Sequence, residues 1–207
     1  MSSPWNKLVS EETIRITAKN LSENGITPII VDNAKEAKAK VLELIPDDAE
    51  VMTMQSISLL ESGITNEINT SGKFNSVKNS LSKMNRETEN KEMQKLGAAP
   101  EYAIGSVHAV TLEGHLLIAS NTGSQLPAYA YGSEHVIWVV GTQKIVKNLD
   151  EGIKRIYDYV LAKESVRLSK QYNDPNLKSN VSKLLIINKE VKPGRLTIIL
   201  VKEALGF

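Results

Sequence analysis

The stretch His135-Val-Ile-Trp-Val-Val140 is apolar at every position after its histidine. Such a continuous run is typical of a central strand in a parallel sheet, because helices cover both faces of that strand. Val51–Met54 and Tyr102–Ile104 are short apolar runs as well, and helical patterns separate them along the chain. We therefore expect these strands, together with Leu116–Ala119, to share one mostly parallel sheet with helices on both faces.

The first 54 residues alternate between helical and strand patterns. Ser10 precedes two glutamates and predicts a helix start, and Gly25 predicts the end of that helix. Pro28–Val31 follows as a strand, and a second helix and a second strand come after it. This order predicts an α/β fold with three α/β/α layers over residues 33–207, with an N-terminal helix and strand, residues 1–32, packed on that domain.

The middle of the chain is less regular. Ser58 and Glu61 form a capping-box pattern that predicts a short helix, and Thr65–Asn75 is polar without a clear period. Ser76–Leu96 has helical spacing but is strongly charged, which predicts a helix, whole or broken, with a thin apolar face. Because this helix has few apolar partners within one chain, we expect a homodimer.

Composition excludes several classes of protein. Lys and Arg number 25 against 24 Asp and Glu, so bulk charge draws the chain neither to nucleic acid nor to a membrane. The absence of cysteine excludes disulfides, thiolate nucleophiles and self-bound iron–sulfur clusters. The three histidines have no partner at ligand spacing, so we expect no metal and no cofactor. Without a signal-peptide pattern or a spanning apolar run, we expect a cytoplasmic protein.

Three loops combine small hydroxyl residues with a position between an apolar strand and a helix. In open α/β sheets, ligands bind beyond the carboxyl ends of strands, and free amides with hydroxyls nearby favour a carboxylate or a phosphate. Caps and turns use the same residue types, so a structural role remains the alternative. The candidate ligand-binding residues of these loops are Gln55, Ser56, Ser58, Gly105, Ser106, Ser120, Asn121, Thr122, Gly123, Ser124 and Gln125.

The sharpest expectation is an anion site at Thr122-Gly123-Ser124. Gly123 lets the backbone approach a ligand closely, and Ser124 precedes the short helix predicted at Leu126–Tyr131. Lys144 is a further candidate for pairing with an anionic ligand, although a solvated surface lysine is the alternative.

Two residues are candidates for acid–base catalysis. His108 lies two positions after Ser106, and Glu113 carries a carboxylate between two apolar runs. The alternatives are a hydrogen-bonded structural histidine and a tight hairpin turn at Glu113-Gly114. No P-loop, dinucleotide-binding glycine motif or nucleophile-elbow motif is present.

Four sequence strings resemble the LUD-domain (lactate-utilisation) family. They are Tyr102-Ala-Ile-Gly-Ser-Val-His-Ala-Val-Thr, Ala119-Ser-Asn-Thr-Gly-Ser-Gln-Leu-Pro-Ala-Tyr-Ala-Tyr-Gly, Val136-Ile-Trp-Val-Val-Gly-Thr-Gln-Lys-Ile-Val, and Pro193-Gly-Arg with Glu203-Ala-Leu-Gly-Phe. The resemblance covers roughly residues 33–207. It implies a fold related to ribose-5-phosphate isomerase, glucosamine-6-phosphate deaminase and CoA transferases, and a role near lactate oxidation, either as the partner of an iron–sulfur subunit or as a stand-alone relative.

Three functions remain open from the sequence. The first is a protein that binds a small anionic metabolite in hydroxy- or keto-acid metabolism. The second is an isomerase- or CoA-transferase-like enzyme acting on a phosphorylated or acyl substrate. The third is a non-catalytic assembly subunit, which would carry a broad exposed apolar face on Ser76–Leu96 and an occluded pocket.

Overall fold

The structure is a computed structural model that describes residues 3–207, so Met1 and Ser2, the start of the expected N-terminal segment, lie outside it. The α-helices are α1 (Glu11–Glu23), α2 (Ala34–Leu44), α3 (Ile57–Glu61), α4 (Ile64–Thr70), α5 (Val77–Ser82), α6 (Asn90–Ala98), α7 (Leu149–Arg155) and α8 (Leu161–Tyr172). The strands are β1 (Thr27–Val31), β2 (Glu50–Thr53), β3 (Asn75–Ser76), β4 (Tyr102–Gly105), β5 (Ala109–Thr111), β6 (Leu116–Ser120), β7 (His135–Gly141), β8 (Ile145–Val146), β9 (Lys183–Ile187) and β10 (Leu196–Val201).

Six strands form the main sheet, in the order β1-β10-β7-β4-β2-β3. Every neighbouring pair in this sheet is parallel. Helices flank the sheet, so the expected α/β class with a mostly parallel sheet is confirmed. No helix among residues 3–207 is both long and apolar enough to cross a membrane.

Strand β7 shows why its sequence is apolar throughout. Val136, Trp138 and Val140 point into one hydrophobic cluster, which includes α1 and the second sheet described below. Ile137 and Val139 point into another cluster, formed with α2, α3 and α4. Because successive side chains of a strand face opposite sides, a strand covered on both faces needs apolar residues at every position.

A second sheet of four strands, in the order β8-β5-β6-β9, packs on one face of the main sheet. The expectation that Leu116–Ala119 belongs to the main sheet is therefore wrong. A tight turn with Gly114 at φ 82° joins β5 to β6, and the two strands are antiparallel. A turn this short can only return the chain antiparallel, so the predicted hairpin at Glu113-Gly114 already argued against a shared parallel sheet.

The N-terminal part follows its sequence pattern closely. The Ser10 hydroxyl accepts a hydrogen bond from the Thr13 amide at the start of α1, and Gly25 follows its end with a positive φ. Strand β1 pairs with β10 at the edge of the main sheet. The division between residues 1–32 and 33–207 remains a prediction.

The middle of the chain departs from its sequence pattern. Within Thr65–Asn75, expected to lack regular structure, most residues belong to α4 or β3, and Ile68 is buried against the second cluster. Ser76–Leu96 contains two helices, α5 and α6, which corresponds to the broken form of the expected helix, and Leu81 and Met93 face a cleft of the same chain. The homodimer expected from this region remains a prediction.

Candidate functional site

The carboxyl ends of four adjacent parallel strands meet at one edge of the main sheet. In sheet order β10, β7, β4 and β2, the segments after these strands carry Gly206, Lys144, Ser106 and Ser58. Since parallel strands all end at the same edge, residues far apart in the sequence come together there. These four residues form the centre of the candidate site.

Lys144 is the charged group at this centre, and its side chain is only 2% exposed. Its Nζ atom donates hydrogen bonds of 2.9 Å to Ser58 Oγ and 3.2 Å to Ser106 Oγ. No carboxylate of residues 3–207 forms an ion pair with it. A buried ammonium normally has an acidic partner, so this arrangement leaves a positive charge for something outside the chain.

Burial also changes the proton affinity of this amine. Loss of hydration, with a smaller effect from the Arg155 guanidinium, lowers the pKa of Lys144 to about 7, while Glu61 opposes the shift. The ammonium and the neutral amine are therefore both present near neutral pH. A perturbed group of this kind in a cleft is typical of a functional site.

His108 lies beside this centre. Its Nδ1 atom accepts a 3.0 Å hydrogen bond from the Ala119 amide, so the neutral ring carries its proton on Nε2. Burial, and then the positive charges of Lys144 and Arg155, lower the pKa of His108 to about 3. Such an imidazole is a hydrogen-bond donor through Nε2 and a poor general base near pH 7.

Arg155 is a second buried cation behind the site. Its guanidinium donates to the His108 carbonyl at 2.5 Å and to the Trp5 carbonyl at 3.4 Å. Burial lowers the pKa of Arg155 to about 10, which leaves it charged at neutral pH. It fixes the backbone at His108 and adds to the positive potential around Lys144.

The C-terminal residues form one wall of the site. Ser58 Oγ donates to the Leu205 carbonyl at 3.1 Å, and Gln143 Nε2 donates to the carbonyls of Leu205 and Gly206. A Cβ atom on Gly206 would lie 2.5 Å from Ser58 Oγ and 3.4 Å from Lys144 Nζ. Only glycine allows the backbone to pass this close to the two functional groups.

Gly105 has a comparable reason to be glycine. A Cβ atom at this position would collide with the hydroxyl of Tyr129, whose ring is fully buried beneath the site. The Tyr129 ring also meets Trp138 edge to face, with 5.3 Å between ring centroids. Gly105 therefore shapes the floor below Ser106 and does not line the cleft itself.

A cleft of about 1400 Å³ opens from this centre. Its lining carries five basic side chains, Lys78, Arg86, Lys144, Arg167 and Lys178, against two acidic ones, Glu164 and Asp174. The local excess of positive charge contrasts with the near-neutral chain as a whole. Walls of one predominant sign concentrate ligands of the opposite sign, so the cleft favours anions.

Helix α8 forms part of the cleft mouth through a charged cluster. Arg167 pairs with Glu164 through two hydrogen bonds of 2.6 and 2.7 Å, and it also donates to Gln171. When the side-chain amide of Gln55 is oriented so that its oxygen and its nitrogen both have partners, the oxygen accepts a hydrogen bond from Arg167 at 2.8 Å. The hydrogen bonds between Arg167 and Gln55 connect α8 to the loop after β2.

A model of the LUD domain family matches residues 14–201, which is most of the chain. The chain belongs to the LUD domain family. The resemblance seen in the sequence is thereby confirmed. Comparison with curated proteins gives no match.

Solved structures agree with this LUD domain at the level of the fold. A crystal structure of a DUF162 family protein from Deinococcus radiodurans has a TM-score of 0.57 and 13% identity, covering 94% of this chain and 99% of that one. Ribose 5-phosphate isomerase from Plasmodium falciparum has a TM-score of 0.39 and 12% identity, covering 84% and 95%. The second likeness is too distant to support an argument about this LUD domain.

The cleft of the LUD domain collects most of the residues proposed from the sequence. Lining it are Gln55, Ser56, Ser58, Ser106, His108, Ser120, Asn121, Thr122, Gly123, Ser124, Gln125 and Lys144. Ser58 is not the helix cap expected from its spacing to Glu61, because Ser56 caps α3 and Ser58 is buried against Lys144. Sequence reasoning missed Arg155, Arg167 and Gly206.

The loop expected to bind the anion lies at the side of this cleft, after β6 of the second sheet. The Gly123 amide donates to Ser120 Oγ at 2.9 Å, and the Ser124 amide donates to Thr122 Oγ1 at 3.3 Å. The Lys183 side chain covers the open face of Gly123, where a Cβ atom would be 2.5 Å from its Cδ. The two amides are thus already engaged within the loop, while Lys144 is not paired with an acid.

Glu113 lies outside the cleft. Its side chain is 64% exposed on the β5–β6 turn, with His115 3.6 Å away, and Asn24 of α1 donates to its carbonyl. His135 stacks on Tyr102 at the amino ends of their strands, the opposite edge of the sheet. Among residues 3–207, no group of three or more His, Asp or Glu side chains is placed to hold a metal ion.

Proposed function

We propose that this LUD-domain protein binds a small anionic metabolite in the cleft, with Lys144 as the group that pairs with its negative charge. The metabolite class is a short hydroxy- or keto-carboxylate, and the setting is lactate or related carboxylate metabolism, which the family's resemblance implied. Arg155 and the Nε2–H of His108 support the same charge preference.

One observation supports this proposal above the others. A lysine ammonium has three N–H donors, and two of those on Lys144 go to Ser58 and Ser106. The third has no acceptor among residues 3–207. An unpaired donor on a buried charge costs free energy, and a bound carboxylate would satisfy it with a charge-assisted hydrogen bond.

The enzyme alternative built on Glu113 finds no support in the geometry. Glu113 is exposed outside the cleft, and Glu164, one of the two acidic residues that line it, is already paired with Arg167. The assembly-subunit alternative required an exposed apolar face on Ser76–Leu96. Instead Val77 is buried and Leu81 and Met93 line an open cleft.

The proposal is tested by calorimetry with L-lactate, pyruvate, glycerol 3-phosphate and inorganic phosphate. We expect the carboxylates to bind the wild type, and Lys144→Met to weaken that binding about tenfold to a hundredfold, as expected for one charge-assisted contact. Lys178→Met is the matched control, because it removes an exposed positive charge from the same cleft. Equal losses in both variants, or binding by neither carboxylate, would contradict the proposal.

A further inference from the structure

We propose that Lys144 also forms a covalent Schiff base with carbonyl-bearing ligands, and that 2-oxo acids are therefore the substrate class of this cleft. The inference rests on the proposed function, because the same cleft must first bind the 2-oxo acid, and it requires that part of the bound complex carry Nζ as the neutral amine rather than as the ammonium that pairs with the carboxylate. It adds a chemical step that binding alone does not require.

The geometry around Nζ suits the neutral amine as well as the ammonium. A neutral lysine amine has two N–H donors and one lone pair. The two hydroxyl oxygens of Ser58 and Ser106 accept both donors, at 2.9 and 3.2 Å, and this leaves the lone pair free. An amine held in this way has an unengaged lone pair, and Lys144 is one of the residues that line the cleft.

The surroundings keep this lone pair available. No carboxylate of the described residues pairs with Nζ to hold it protonated, and burial makes the neutral form abundant near neutral pH. Exposed lysines are almost entirely protonated there, with a neutral fraction lower by a factor on the order of 1000. Desolvated lysines beside another cation are nucleophiles in carbonyl chemistry, and Arg155 is the neighbouring cation here.

The reaction balances without an oxidant or a reductant. The Nζ lone pair forms a bond to the carbonyl carbon, the carbonyl oxygen takes up a proton, and Nζ loses one, which gives a carbinolamine. A proton from solvent then turns the carbinolamine hydroxyl into water, and breaking the C–O bond gives the iminium ion; addition of water and release of that proton reverse both steps. The hydroxyl of Ser106, which donates to the Val107 carbonyl at 3.4 Å and also contacts Ser58 Oγ and Lys144 Nζ, and the Nε2–H of the neutral His108 are hydrogen-bonding groups for the departing oxygen.

The test is reductive trapping of pyruvate with cyanoborohydride at pH 7, followed by intact-mass measurement and peptide mapping of the whole protein. We expect one stable adduct per chain at Lys144, formed at least about tenfold faster than at any exposed lysine, as the difference in neutral amine implies. L-lactate, which lacks the carbonyl, gives no adduct. Lys144→Met gives none at position 144, and Lys147→Met, which removes an exposed lysine outside the cleft, is modified at Lys144 like the wild type.

Two results separate this inference from the proposed function. If calorimetry shows pyruvate bound with dependence on Lys144, and trapping gives no adduct there, the covalent step is overturned and the anion site stands. If adducts spread over exposed lysines at equal rates and neither pyruvate nor L-lactate shows binding, both proposals fail.

Discussion

The Nζ atom of Lys144 donates a 2.9 Å hydrogen bond to Ser58 Oγ, although the two residues are 86 positions apart in the sequence. Ser58 follows β2 and Lys144 follows β7, with β4 between these two strands. Ser106 follows β4 and is the second acceptor. The contact therefore depends on the parallel order of the main sheet.

Replacing Lys144 with Met is expected to stabilise the empty protein. At pH 6 the wild-type ammonium is buried without an acid, so its removal should raise the free energy of unfolding by roughly 1–3 kcal/mol. The pKa of Lys144 is lower in the folded protein than in the unfolded chain. Above about pH 7 the unfolded chain therefore binds more protons than the folded protein, and the free energy of unfolding rises with pH. The wild type should thus gain stability relative to Lys144→Met as pH rises from about 7 towards 10. Urea unfolding at pH 6, 8 and 9.5 measures the difference in the free energy of unfolding between wild type and variant, with the exposed Lys147→Met as control. A lower stability of Lys144→Met than of the wild type at every pH would contradict the prediction.

Lactate affinity should depend on pH through the same group. Lactate binds the ammonium, so its affinity should be nearly constant below pH 7 and fall about tenfold for each further pH unit. The lactate carboxylate stays ionised throughout this range and adds no slope. Calorimetry from pH 6 to 9 tests the profile, and Lys144→Met should show a flat, weak one. A wild-type affinity for lactate that stays constant up to pH 9 would show that the Lys144 amine does not pair with the lactate carboxylate.

Gly206 and Gly194 offer a matched pair of substitutions. Both have positive φ, at 65° and 73°, so alanine is strained at either position by about 1–2 kcal/mol. Only at Gly206 does the new Cβ also meet Ser58 and approach Lys144, since nothing lies within 4 Å at Gly194. We expect both variants to lose melting temperature, Gly206→Ala more because its Cβ also collides with Ser58, and about a tenfold or greater loss of lactate affinity only in Gly206→Ala. Equal affinities in the two variants would mean that the C-terminal wall does not shape the site.

Arg155 should support both the fold and the charge of the site. Arg155→Met leaves the carbonyls of His108 and Trp5 without their donor and should lower the free energy of unfolding by roughly 2–4 kcal/mol. It also removes a positive charge that lowers the pKa of Lys144, so the decline in lactate affinity should start at a higher pH. Denaturation and calorimetry test the two effects, with the exposed neighbour Lys154→Met as control. If the lactate affinity of a folded Arg155→Met protein depended on pH as that of the wild type does, Arg155 would have no effect on the charge of the site.

The sequence predicts the local elements well and their partners less well. The apolar run of β7 and the caps of α1 depend on neighbouring residues, so they could be identified from spacing alone. The sheet to which Leu116–Ser120 belongs depends on distant strands, although the short turn predicted at Glu113-Gly114 implied antiparallel pairing with the strand before it. Ile64–Thr70 is a helix of a polar segment, stabilised by burial of Ile64 and Ile68 rather than by its own periodicity.

The site shows the same limit. Small hydroxyl residues after strands pointed to Ser58 and Ser106, because that signal is local. The sequence around Lys144 does not indicate that its side chain is buried, since a lysine after a strand is exposed in most proteins. Gly206 contributes through its approach to Ser58, and Arg155 through contacts with His108 and Trp5, which are 47 and 150 positions away; the sequence around a glycine or an arginine does not indicate such contacts.

The most direct test of the central claim is a nuclear magnetic resonance titration of the Lys144 amine, assigned with Lys144→Met, in the free protein and with saturating L-lactate. Lactate has no carbonyl to condense with the amine, so only charge pairing is observed. We predict a pKa of about 7 for Lys144 in the free protein, raised when lactate binds, because a paired carboxylate favours the ammonium. A free-protein pKa at the ordinary lysine value, or one that lactate leaves unchanged while it binds, would contradict the claim that Lys144 holds the anion.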